Sequence, residues 1–313
     1  MLKTRTLGKT GFDLTEIGFG AWAIGGRRYG PVAQSDGIDA IHAYIKGGGN
    51  FIDTARSYGS EPLLGQYFAQ HGGRENIFIA TKAPSVEPDD IRSDLETSLR
   101  ELQTDYIDLY YLHRPPENPD HMNRLLDLYD QLKVEGKIRA TGASIKGPTV
   151  TQNTTDLCQQ YIQSGRVDAL QVIYSIYRQK TAEIFQESHN NGVGIVARTV
   201  LESGFLTGKY KPGQTFSGDD HRKRWGTQRL ESILQQTQDL QSIVKPPYTT
   251  LSQIAIRFAL QCPEVTTLIL GARNASQIEQ NFSAEDLPPL DTDLYQSLIE
   301  QYTDKTETFN PGN

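Results

Sequence analysis

The sequence predicts an α/β fold, a closed (β/α)8 TIM barrel, and three observations carry the prediction. Short β-branched or aromatic runs alternate with amphipathic stretches eight times along the 313 residues. The first seven runs start about 25–35 residues apart, as strand–helix–strand units do. No composition break marks a linker, so one domain over residues 1–313 is expected. Such alternation implies parallel strands joined by right-handed crossovers. Eight units in a chain of this length fit a closed barrel better than an open sheet.

The elements follow in order. Residues before Thr15 read as an N-terminal β-hairpin turning at Lys9-Thr10-Gly11. Strands are expected at 15–19, 50–53, 77–81, 106–112, 138–143, 168–173, 194–197 and 266–270. Between them, Ile91, Leu95, Leu99 and Leu102 share one helical face, as do Leu251, Ile254, Ala255 and Phe258. Ser35-Asp36, Pro88-Asp89-Asp90 and Pro119-Asp120 mark helix starts. The gap from Ala197 to Thr266 is long and holds a Gly-rich, basic loop (201–225) and an extra helix near 228–243, before strand 8. Long loops inside compact domains are usually functional. One more helix is expected at the C-terminus, at 293–301, then a polar tail expected to fray. Gly18-Phe19-Gly20-Ala21-Trp22-Ala23 matches a dinucleotide-binding signature, but that reading requires a helix to open at the glycines. Gly25, Gly26, Gly30 and Pro31 follow instead, so the run reads as the first barrel strand entering its loop.

Composition narrows the function. With 31 basic and 38 acidic side chains the net charge is −7, which disfavours a nucleic-acid binder. Cys158 and Cys262 lie far apart and match no ligand spacing, so neither a metal site nor a disulfide scaffold is expected. No apolar run approaches the roughly 18 residues of a membrane span, and no signal-peptide core opens the chain. A cytoplasmic protein with a small-molecule substrate is the expectation.

Catalytic groups of such barrels stand at the carboxyl ends of strands. Asp53, Lys82 and His113 end successive strands there, and Tyr58 lies in the loop after Asp53. Singly, each has a plain reading: a turn former, a solvated strand end, a satisfied core histidine, a loop aromatic. Together they make a coherent proton donor. A phenol is a weak acid at neutral pH, and a nearby ammonium held by a carboxylate stabilises its anion. That suits protonation of a carbonyl oxygen as hydride adds to the carbon. Acyl transfer lacks a serine or cysteine nucleophile beside the histidine, and no carboxylate pair suggests a glycosidase.

On these residues the sequence resembles the aldo-keto reductase superfamily. Gly49-Asn50-Phe51-Ile52-Asp53-Thr54-Ala55-Arg56-Ser57-Tyr58-Gly59-Ser60-Glu61 is similar to that family's signature, and Ile79–Lys82 and Tyr110–Pro115 are similar to the segments carrying its lysine and histidine. The resemblance implies Tyr58 as general acid, Lys82 and Asp53 tuning it, and His113 orienting the substrate. It implies NADPH as cofactor, its nicotinamide held by Ser144 and Gln171, with Ile145 where an Asn is usual and Arg198 where an aromatic stacks. Thr199, Leu201 and Lys209 fall in the segment implied to fold over the pyrophosphate. Gly271, Arg273, Gln277 and Asn281 fall in the segment implied to grip the adenosine half, for which a helix cap with a solvated face is the plain alternative. Trp22, Tyr29 and Tyr177 follow strands and can line the mouth, Trp22 standing also among the cofactor positions; packing is the alternative. The run His221-Arg222-Lys223-Arg224 can reach a phosphate or simply be a solvated loop. The leading expectation is an NADPH-dependent reductase of aldehydes or ketones. The runner-up is a cofactor-sensing regulatory subunit like the potassium-channel β subunits, in which the resemblance implies an Asn in place of the histidine.

Overall fold

The computed structural model describes residues 2–26, 32–145, 147, 149–216, 218 and 220–310. An antiparallel hairpin, β1 (Thr4–Thr6) and β2 (Asp13–Thr15), opens the chain. Eight parallel strands then close a barrel in chain order: β3 (Ile17–Gly20), β4 (Phe51–Asp53), β5 (Phe78–Ala83), β6 (Ile107–Leu112), β7 (Ile138–Ser144), β8 (Ala169–Ile173), β9 (Gly194–Arg198) and β10 (Val265–Gly271), with β10 returning to β3. Each expected strand is present, its ends moved by one or two residues.

Helices α1 (Gln34–Lys46), α2 (Glu61–His71), α3 (Pro88–Leu102), α4 (Pro119–Val134), α5 (Gln152–Gln163) and α6 (Phe185–Asn190) form the crossovers up to β9. The long connection to β10 holds the additional helix α7 (Thr227–Leu240) and then α8 (Leu251–Leu260). After β10 come α9 (Ala275–Phe282) and the C-terminal α10 (Thr292–Tyr302). The expected face of α3 is buried, Ile91, Leu95, Leu99 and Leu102 all lying in the shell between strands and helices. The Gly18–Ala23 run is β3 passing into a short 3-10 turn (Ala21–Gly25), with no α-helix at its glycines.

Period two along the strands decides what enters the barrel. Phe51, Phe78, Ala80, Leu109, Tyr111, Ala140, Ala169 and Val196 form one buried cluster, and Leu7 and Leu14 of the hairpin join it. The hairpin therefore closes the amino-terminal end, where Asn50 accepts from Thr15 N and donates to Asp13 O, both at 2.8 Å. Continuing the same parity upward brings Asp53, Lys82, Ser144, Gln171 and Arg198 to the opposite mouth.

The C-terminal tail differs from expectation. Thr303–Phe309 forms a 3-10 turn, and Phe309 stacks on Tyr177 with ring centroids 4.2 Å apart. Asn310 accepts from Val150 N at 2.9 Å and donates to Val150 O at 2.8 Å, so an apolar ring and a satisfied amide fix the tail. Residues 311–313 lie outside the described residues. Tyr177 is thereby a core residue, buried beneath this tail with its hydroxyl 2.9 Å from Thr237 Oγ1, and does not line the mouth. Among the described residues no helix is long and apolar enough to cross a membrane. None of their His, Cys, Asp and Glu residues group to hold a metal ion.

Candidate active site

The centre of the mouth is a chain of short hydrogen bonds across four strands. Lys82 Nζ donates to both Asp53 carboxylate oxygens and to the Thr54 carbonyl, each at 2.7 Å. Gln171 Nε2 donates to Asp53 Oδ2 at 2.8 Å, and Ser144 Oγ donates to Gln171 Oε1 at 3.0 Å. All four side chains are buried. Burial pushes the Asp53 carboxyl upward, and Lys82 and Gln171 draw it back. Removing one partner of a buried pair of this kind typically costs about 3–5 kcal/mol, so the pair acts as a unit. The sequence placed Gln171 only toward a cofactor; the structure shows it also bonding Asp53, which no local pattern reveals.

Tyr58 sits over this pair. The Lys82 ammonium lies 5.0 Å from its ring centroid, and the His113 ring meets it edge-on at 5.9 Å. Among the described residues the Tyr58 hydroxyl has no hydrogen-bond partner. The loop carrying it is pinned at both ends: Thr54 N donates to Ala80 O at 2.8 Å, and Thr81 Oγ1 donates to Glu61 Oε1 at 2.6 Å. Gly25 presses on this loop from the β3 side. A Cβ there would stand 2.1 Å from the Tyr58 carbonyl oxygen, so only glycine fits. His113 is pulled down to about 3 by burial, with the Lys82, Arg198 and Arg114 cations adding to the effect, and its imidazole is neutral at physiological pH.

Trp22 stands 5.8 Å from the Tyr58 ring and 5.0 Å from that of His221, and His221 Nε2 lies 3.3 Å from Ser203 Oγ. The long loop after β9 thus docks on the same rim. Tyr29 lies outside the described residues. Arg222 is not a solvated loop residue: it is buried, forks onto Asp220 at 2.9 and 2.6 Å, and lies 4.2 Å over the Phe216 ring.

Arg198 ends β9, and its guanidinium crosses to β7, Nη2 donating to Ile145 O at 3.0 Å. Burial pulls it down to about 10. The next residues are strained, with Thr199, Glu202 and Ser203 all at positive φ (63°, 49° and 56°). Each such residue costs on the order of 1–3 kcal/mol and persists only where its surroundings fix it. Here Glu202 is the fixture. Its buried carboxylate accepts from Arg178 Nε at 2.9 Å and Nη2 at 2.6 Å, and from Ser175 Oγ. Sequence reasoning missed this anchor, because its partners are separated by more than 20 residues and follow no motif.

The adenosine-side candidates gather at the end of β10, whose Ile269 pairs with Arg198. Asn274 caps α9, accepting from Gln277 N at 3.0 Å, and Gln277 Oε1 accepts from Arg273 N at 2.9 Å. The stretch thus forms a helix cap, with Arg273 half-buried and Asn281 buried. Gly271 is exposed. Leu201 packs partly buried against the shell, and Lys209 is exposed with its ammonium 4.8 Å over Tyr210.

Comparison with known proteins places this geometry. A probable voltage-gated potassium channel subunit beta from Arabidopsis thaliana is 28% identical over 331 residues, covering 96% of each chain. An NADH-specific methylglyoxal reductase from Escherichia coli (strain K12) is 28% identical over 324 residues, 93% of this chain and 96% of its own. The holo form of an aldo-keto reductase from Bacillus halodurans superposes with a TM-score of 0.78 at 24% identity, covering 96% of this chain and 97% of that one. Residues 16–302 match the family model described as the aldo/keto reductase family. With that match over nearly the whole barrel, the chain belongs to the aldo/keto reductase family.

Proposed function

We propose that the chain, acting as one barrel domain, reduces aldehydes or ketones to alcohols with NADPH. The observation that carries the reading is the Tyr58 phenol, edge-on to His113 and 5.0 Å above an ammonium that Asp53 locks in place. Tyr58 gives its hydroxyl proton to the carbonyl oxygen. A neutral His113 is no proton source at physiological pH, but its N–H can bond and orient that oxygen. Lys82 and Arg198 stabilise the negative charge left behind. When bound, a reduced nicotinamide supplies the hydride that adds to the carbonyl carbon.

The donor set fits such a cofactor. Ser144 Oγ and Gln171 Oε1 each retain acceptor capacity toward a carboxamide. Successive left-handed residues after β9 form the kind of turn that gathers backbone N–H groups around an anion. At α9 no acidic residue lies between Gly271 and Gln277 to hold a free ribose hydroxyl pair, whereas Arg273 offers a fork for a 2′-phosphate. One hydrogen bond to a charged group contributes roughly 1.5–3 kcal/mol, about 10–150-fold in affinity, so a single arginine suffices to set the preference.

The potassium-channel subunit relative gives the second reading, a cofactor-sensing partner protein, some footing. His113 at the mouth favours turnover. Incubating the protein with NADPH or NADH and a panel of aldehydes and ketones, while following loss of the reduced cofactor, separates the two. Consumption with NADPH preferred, and the preference narrowing as salt rises, is expected. Tight cofactor binding with no turnover on any carbonyl would leave the sensing role.

A further inference from the structure

The charges at the mouth do not cancel. Lys82 shares its charge with Asp53, and Arg178 with Glu202, each in a buried ion pair. Arg198 forms no ion pair among the described residues, and its Nε is buried without a hydrogen-bond partner. Its guanidinium is held by neutral groups, the Ile145 carbonyl at 3.0 Å and the Thr199 hydroxyl at 3.4 Å. Gly147 makes room for it: a Cβ there would stand 2.5 Å from Nη2. The strand therefore carries into the mouth a cation that no carboxylate pairs with directly among the described residues.

The side on which that cation stands matters. The proton donor and its support, Asp53, Tyr58, Lys82 and His113, belong to β4, β5, β6 and the loops they enter. Hydride must reach the carbonyl carbon from elsewhere around the rim. The remaining wall is formed by the ends of β7, β8, β9, β10 and β3, and the first three carry the polar side chains Ser144, Gln171 and Arg198. In carbonyl reduction a hydride, with its two electrons, passes from the ring to the carbon, and the Tyr58 proton passes to the oxygen. The ring gains one positive charge as the alcohol forms.

We propose that Arg198 makes this barrel discriminate the redox state of its cofactor, holding the neutral, reduced nicotinamide more tightly than the cationic, oxidised one. The inference rests on the reductase reading above, since it takes the ring to lie against β9. Like charges a few ångströms apart in a partly desolvated site repel strongly. The repulsion is absent before hydride transfer and present after it, so Arg198 speeds departure of the spent cofactor and biases the site toward reduction.

The test is a binding measurement, independent of turnover: NADPH and NADP+ titrated separately, by calorimetry, into wild type, Arg198→Gln and Arg198→Lys. Glutamine keeps a donor for the Ile145 carbonyl and drops the charge; lysine keeps the charge. Wild type is expected to favour NADPH over NADP+ by about tenfold or more. Arg198→Gln should bring the ratio toward unity and Arg198→Lys should retain most of it. A wild-type ratio of one or below overturns the inference whether or not the variants fold, and so does a ratio that Arg198→Gln leaves unmoved. If neither cofactor form binds wild type, the reductase reading itself fails.

Discussion

His113 shows how strongly single residues here are set by their surroundings. A histidine ordinarily titrates near 6.5, yet burial and three nearby cations bring this one to about 3. Between those values the unfolded chain takes up a proton that the native site refuses. The part of the folding stability linked to His113 is therefore fully present above about pH 6.5 and is lost as pH falls toward 3. Replacing His113 with Asn, which does not titrate, should flatten that part of the stability profile. Denaturant melts of both proteins across the acid range check it. Parallel profiles would mean that the native imidazole charges normally. The four candidates Asp53, Tyr58, Lys82 and His113 were legible in the sequence because each ends or follows a strand. Arg198 was legible as a departure in residue type, but its lack of an ion pair among the described residues was not, since that depends on where Glu202 and Arg178 find each other.

Among the elements, the loops hold the reaction geometry. Tyr58 rides on a loop tied to β5 through Thr54 and Thr81, and the 3-10 turn after β3 packs against it with no space at Gly25. Gly25→Ala forces backbone apart from backbone, so the Tyr58 ring must shift. A displacement of about 1 Å at a reacting group can cost on the order of 100-fold in rate. The expected result is a fall in kcat of that order with cofactor affinity kept, read by steady-state kinetics beside a titration. Unchanged kcat in the variant would show that Gly25 does not fix the phenol. Strand and helix periodicity made β3–β10 and the crossover helices visible in the sequence, because periods of two and 3.6 are local properties. The docked tail was not visible. Its polar composition says fray, while Phe309 and Asn310 find partners at Tyr177 and Val150, more than 100 residues away.

At the scale of the whole molecule, barrel closure converts one strand parity into one site. Phe51 and Asp53, Ala80 and Lys82, and Val196 and Arg198 are each two residues apart, the lower member filling the interior and the upper facing the mouth. The fold thus supplies a packed floor and a polar rim from the same alternation, and the hairpin seals the far end. What closure adds beyond the sequence is cross-barrel contact: Gln171 reaches Asp53 over 118 residues of chain, joining the proton-donor side to the opposite wall. The central claim is that this assembly reduces carbonyls with Tyr58 as the proton donor. Tyr58→Phe tests it most directly, because the ring and its packing stay and only the transferable proton goes. Rates of NADPH-dependent carbonyl reduction should fall by about 10²–10⁴-fold, the usual contribution of general acid catalysis, while NADPH titrates the variant as it does wild type. A Tyr58→Phe protein that reduces the same carbonyl at the wild-type rate would contradict the account.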